Sequence, residues 1–128
     1  MDATDETGDI EGVLKAIHIS IGRGPGGYVR LRTYRGDMMV VGRDAGLVAD
    51  QDGYLRSVLG RLARVAMYVD RSRSLDDWKR LTGIGPQAKG ARWLYRKAQR
   101  DALGLNRLLG DNLYHRLLWG AGLLNQGH

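Results

Sequence analysis

The sequence predicts an α+β domain, an N-terminal antiparallel meander of three or four strands followed by four or five helices. Three observations carry this. Apolar residues alternate with period two as far as about residue 49, then recur at three- and four-residue spacing after Asp50. The strand-like runs all precede the helix-like ones, which is the order of an α+β chain. The 128 residues include no cysteine and 43% are hydrophobic, enough for one core without disulfides or thiolate metal sites.

Each element follows from its own residues. Asp2, Asp5, Glu6, Asp9 and Glu11, with few apolar neighbours, make residues 1–12 an acidic flexible arm. Residues 13–49 read as the small sheet. Val13–Ile21 alternates, with Ile17, Ile19 and Ile21 on one side and Ala16, His18 and Ser20 on the other. Gly22–Gly27 breaks this run, and Tyr28–Tyr34 resumes it, with Val29, Leu31 and Thr33 sharing one face. Arg35-Gly36-Asp37 is turn chemistry and leads to a third strand, Met38–Val41, with a fourth near Leu47–Ala49.

Residues 50–128 read as a helical region packed on that sheet, one domain overall. Leu55, Val58, Leu59, Leu62, Ala66 and Val69 have helical spacing, with Asp50 or Asp52 as N-cap. Ser74-Leu75-Asp76-Asp77 has the shape of a capping box and starts a short helix ending near Leu81. Pro86 suits the first turn of the next helix, expected to reach about Leu103 with Ala91, Leu94, Tyr95, Ala98 and Ala102 inward. Gly104 and Gly110 punctuate a short helical turn, and Asp111 caps a last helix over Asn112–Leu124. That helix carries Leu113, Leu117, Leu118, Trp119 and Leu124, an apolar face for the core or for a second copy or protein partner.

Charge gives the first functional pointer. Twenty Lys and Arg stand against fourteen Asp and Glu, a net +6. Five of the acids lie in the first twelve residues, so residues 13–128 carry +11. Sixteen of the twenty cations are Arg, the side chain suited to phosphate forks and to stacking on flat rings. Such a body points to polyanions, nucleic acid first. A GC-rich coding bias would also enrich Arg, Gly, Ala and Asp. No run approaches the ~20 apolar residues of a membrane span, and the acidic start is unlike a secretory signal. The expectation is a cytoplasmic protein.

The strongest local signal is Leu81-Thr82-Gly83-Ile84-Gly85-Pro86, set between two predicted helices. Over about residues 76–97 it resembles the helix-hairpin-helix motif of nucleic-acid-binding proteins. That resemblance implies that the amides of Gly83, Ile84 and Gly85, with the N-terminus of the following helix, hold a phosphate. The chemistry is sound, because glycines let backbone approach an anion and helix N-termini expose N–H donors. The chain departs from the motif at Lys89, four positions after the second glycine, where the family usually has a small residue. The competing explanation is a tight turn between helices with a Gly C-cap.

Two further surfaces support the same ligand. Lys89, Trp93, Arg96 and Arg100 are spaced four, three and four apart, with Arg92 and Lys97 beside them. Helical geometry puts these four on one face, where an aromatic ring can stack on a base while cations hold phosphate. The alternative is a solvated helix face with Trp93 packed on the sheet. On the second strand, Tyr28, Arg30, Arg32 and Tyr34 share a face, as in sheets that stack unpaired bases. The alternative there is a face half covered by a helix, with extended arginines.

Other matches fail on context. Gly22, Gly24 and Gly27 spell a dinucleotide-binding pattern, but a strand follows it where a helix is required. Asp50-Gln51-Asp52-Gly53 resembles the start of a calcium loop whose final Glu position is occupied by Leu59. His18, His115 and His128 have no metal-ligand spacing. The reading is therefore a non-catalytic accessory or regulatory protein that binds DNA or RNA and requires no metal or cofactor. The rivals are a protein-interaction module, such as a mobile-element inhibitor with a basic surface, and a small nuclease toxin using His18 or His115.

Overall fold

The computed structural model describes residues 10–24, 27–43 and 49–126. Its elements are helix α1 (Ile10–Ala16), strands β1 (Ile17–Ile21), β2 (Val29–Thr33) and β3 (Met38–Gly42), then helices α2 (Gln51–Arg71), α3 (Leu75–Thr82), α4 (Ala91–Leu109) and α5 (Asp111–Gln126). The fold is α+β, a three-stranded antiparallel meander in the order β1-β2-β3 followed by helices. Among the described residues, four of the five helices follow the sheet and one precedes it.

That first helix corrects the expected strand over Val13–Ile21. Ile10, Val13, Leu14 and Ile17 recur at helical spacing and all pack into or against the core, with Val13 fully buried. Glu11 lies in the first turn and Lys15 in the last, as the helix dipole favours. The last residues of the expected arm are thus structural: Ile10 touches the core and Glu11 pairs with Arg56 at 2.8 Å.

The strand pattern holds from Ile17 onward. Val29, Leu31 and Thr33 are buried, while Arg30 and Arg32 on the other face are half-buried. Register places Ser20 opposite Arg30 and His18 opposite Arg32 on one side. Val40 and Met38 face the same two arginines on the other side. The fourth strand expected near Leu47–Ala49 falls mostly outside the described residues.

Helix α2 runs through the middle of the molecule and packs on α4 and α5. Asp50 is its N-cap, accepting from the Gly53 amide at 3.0 Å. Leu55, Val58, Leu59, Leu62, Ala63, Ala66 and Met67 form its buried stripe. Leu31, Leu59, Leu105, Leu108 and Leu117 are almost wholly buried, each worth about 1.5–3 kcal/mol in transfer terms. Ser74 caps α3 by accepting from the Asp77 amide at 3.1 Å, and Gly83 closes it in the left-handed region at φ 77°.

Helix α4 begins later and ends later than expected. Pro86 lies in a turn segment, and Gly90, again left-handed at φ 77°, precedes the first helical residue Ala91. Residues Pro86–Gly90 are all exposed, so no apolar contact draws them into a helix. At the far end Gly104 does not interrupt α4, which continues to Leu109. A Cβ at Gly104 would stand 3.5 Å from the Met39 methyl, an ordinary van der Waals distance, which marks where β3 lies against the helix. Leu94, expected inward, is exposed; the inward row is Ala91, Ala98, Ala102, Leu105, Leu108 and Leu109. The turn between β2 and β3 is fastened to the end of α4 by Arg35, whose Nη2 donates to the Leu108 carbonyl at 3.2 Å.

Candidate nucleic-acid interface

Helical periodicity sets the buried row of α4 against α2 and turns the opposite side to solvent. That outward side holds Arg92, Trp93, Arg96, Lys97, Arg100, Leu103 and Arg107, all exposed. Five of the seven are cations and none is an acid. Trp93 is 59% exposed and is not packed on the sheet. A shallow groove of 530 Å³ runs between Trp93 and Leu103 past Arg96, Gln99 and Arg100. The ion pairs among the described residues engage Arg35, Arg56 and Arg80, and none engages the cations of α4. Arg56 is neutralised by two carboxylates: its hydrogen bond to Glu11, then that to Asp52, holds it still more firmly protonated. At the start of α2, therefore, Arg56 is a paired cation, unlike the five cations on the outward side of α4.

Lys89 does not belong to this helical stripe, since Gly90 separates it from the first helical residue. It lies with Gly85 in the exposed segment before α4. In the turn itself the Gly83 amide points back into α3 and meets the Arg80 carbonyl. The Gly85 carbonyl accepts from Ala88. No backbone bond among the described residues takes the Ile84 or Gly85 amide. Six residues on, α4 starts without a side-chain cap and without an acid in its first turn. The turn amides and the helix N-terminus are thus two separate donor groups rather than one continuous cradle.

The sheet face is open to solvent. Tyr34 is 81% exposed, Val40 57% and Met38 49%. The two tyrosines differ. The ring of Tyr28 lies so close over Gly22 that a Cβ there would collide with it, and the Arg30 guanidinium sits 4.8 Å from its centroid. Tyr34 is the ring left available, with His18 tilted beside it at 5.5 Å. The Nε atoms of Arg30 and Arg32 are buried without a hydrogen-bond partner among the described residues. Met39, between Met38 and Val40 in β3, faces Gly104 of α4, so the Arg30/Arg32 face points away from that helix. The two candidate surfaces do not share one side of the sheet.

Gln99 and Leu103 lie within the expected helix but are uncharged and were not singled out by the cationic spacing, and Arg107 was missed because Gly104 reads as a stop. The 3.6-residue period carried past Gly104 would have found Arg107. The His115 Nδ1–H donates to the Asp111 backbone carbonyl at 2.8 Å, not to its carboxylate, so these two side chains form no acid–base pair. No helix among the described residues is long and apolar enough to cross a membrane. No family model, curated protein or solved structure matches the chain.

Proposed function

We propose that the protein binds nucleic acid through its phosphates, without catalysing a reaction on it, along the outward side of α4. The observation that carries this is the set of five cations on one helix side, with no acid among them and no described ion-pair partner. Arg92, Arg96 and Arg100 are the central phosphate contacts, with Trp93 as a stacking ring. Lys89 and the amides of Ile84 and Gly85 extend the site at its N-terminal end. Arg30, Arg32 and Tyr34 form a separate contact on the sheet, to which Tyr28 lends support by holding Arg30.

Binding to labelled DNA and RNA, titrated with salt, tests this reading. Affinity should fall steeply as salt rises, because counterions released from phosphate carry the binding. Arg96→Glu should weaken it by about 1–3 kcal/mol, the scale of a charge-assisted hydrogen bond. Gly85→Glu probes the turn; its Cβ would meet open space, so the substitution brings no clash with the fold. If Gly85→Glu binds like the parent while Tyr34→Ala loses single strands, the sheet is the interface and the turn only a bend. One observation favours a second reading: Trp93 and Leu103 flank the α4 arginines, an arrangement that also fits an acidic amphipathic segment of a protein partner. No binding to either nucleic acid at low salt would select that reading.

A further inference from the structure

Helices α2, α3 and α4 meet around a crevice of 230 Å³ that none of the surfaces above includes. Along α2, Arg61, Arg64, Val65 and Tyr68 fall three, four and seven residues apart and so line one edge. Trp78 of α3 forms a wall; it is 6% exposed and its ring is backed by Tyr95, centroids 5.2 Å apart. Ala98 of α4 is buried and contributes no atom beyond Cβ, which leaves the space open. Thr82 also lines it, but its hydroxyl donates to the Trp78 carbonyl at 2.7 Å. The walls are therefore apolar and aromatic, and the charges at the rim are Arg61 and Arg64. Both are exposed, and neither takes an ion pair among the described residues.

The volume is below the ~300–1,000 Å³ of pockets that enclose drug-sized ligands; it suits one flat ring system. A ring entering here meets Trp78 and Tyr68, and an anion attached to that ring meets two arginines. We propose that the crevice binds a nucleotide unit, its base among Tyr68, Val65 and Trp78 and its phosphate on Arg61 and Arg64. The choice of a nucleotide rests on the nucleic-acid reading of α4; the residues are different ones. A paired base cannot enter such a site without leaving its stack, so the inference commits the protein to unpaired nucleotides.

Trp93→Phe/Trp119→Phe replaces two exposed rings and leaves Trp78 as the sole tryptophan. Titrating this protein with adenosine 5′-monophosphate should change Trp78 fluorescence saturably, adenosine should do so more weakly, and inorganic phosphate should not. Arg64→Glu, on an exposed position, should weaken the nucleotide about tenfold or more, the loss expected for a charge-assisted contact turned repulsive. Ala98→Leu should fill the crevice and remove the response. An absent response, or one unchanged by Arg64→Glu, overturns the proposal. A response to an acidic tyrosine peptide without one to the nucleotide also overturns it, in favour of a protein ligand. Salt-dependent oligonucleotide binding that persists without a nucleotide response sinks the crevice alone. A nucleotide response without oligonucleotide binding by the parent protein, which keeps Trp93, sinks the α4 reading and leaves the crevice standing.

Discussion

Gly60 sits inside α2 with nothing within 4 Å of where a Cβ would stand. A helix-interior glycine with no packing reason to be there only loses backbone entropy on folding. Gly60→Ala should therefore raise stability by about 0.5–1 kcal/mol, read from the urea midpoint. Gly22 is the opposite case, because any side chain there must push the Tyr28 ring aside. Tyr114 offers a titration. Burial first, then the nearby charge of Asp70, raises its phenol above the ordinary value. The neutral phenol is the form that suits the core, so its contribution is complete below the unfolded pKa of about 10 and is lost as pH rises through the higher folded value. Unfolding free energy should thus decline on the alkaline side, and Tyr114→Phe should flatten that decline. Residues of this kind were partly legible. The buried Val29, Leu31 and Thr33 follow directly from alternation, whereas which tyrosine stays open depends on Gly22 and could not be read from spacing.

At the level of elements, α3 stands on its capping residues. Ser74→Ala should cost about 1 kcal/mol, since the Asp77 amide loses its acceptor. The Arg73 amide and then the Arg80 guanidinium hold the Asp77 carboxyl below its usual range. That contribution is present above the unfolded pKa of about 3.9 and disappears as pH falls through the lower folded value. Helicity of α3 should accordingly fray at acid pH sooner in Ser74→Ala than in the parent. The capping box was legible because its chemistry is local. The ends of α4 were not, for a different reason at each end. Pro86 has the right φ for a helix start, yet the helix waits for Ala91, the first residue with a core to touch. Gly104 has the composition of a stop, yet the helix continues through it because Leu105, Leu108 and Leu109 beyond it are buried in the core. Helix α1 was hidden because a seven-residue helix running straight into a strand blurs two periods together.

For the molecule as a whole, the +11 of residues 13–128 sets the expected strength of salt dependence. If about four to six phosphates are neutralised, log K should fall with log salt at a slope of about −3 to −5. Deleting residues 2–9 removes four acids and should strengthen binding at low salt. Deleting residues 2–16 should unfold or strongly destabilise the domain, because Val13 and its helix go with them. A melting temperature unmoved by the longer deletion would contradict the role given to α1. The α+β order and the antiparallel sheet were legible from the change of period near Asp50. The separation of the two basic surfaces was not, since it depends on which sheet face meets α4.

Arg35 has a consequence in time. Its bond to the Leu108 carbonyl joins positions 73 residues apart, a closure whose entropy must be met before the contact exists. Hairpin β2–β3 and the helices can assemble from nearer neighbours, so this clasp belongs among the last contacts made and the first released. Arg35→Ala should then accelerate unfolding in stopped-flow experiments while leaving the refolding rate almost unchanged. One guanidinium at a β-turn thus adds to the lifetime of the docked sheet rather than to the speed of its formation.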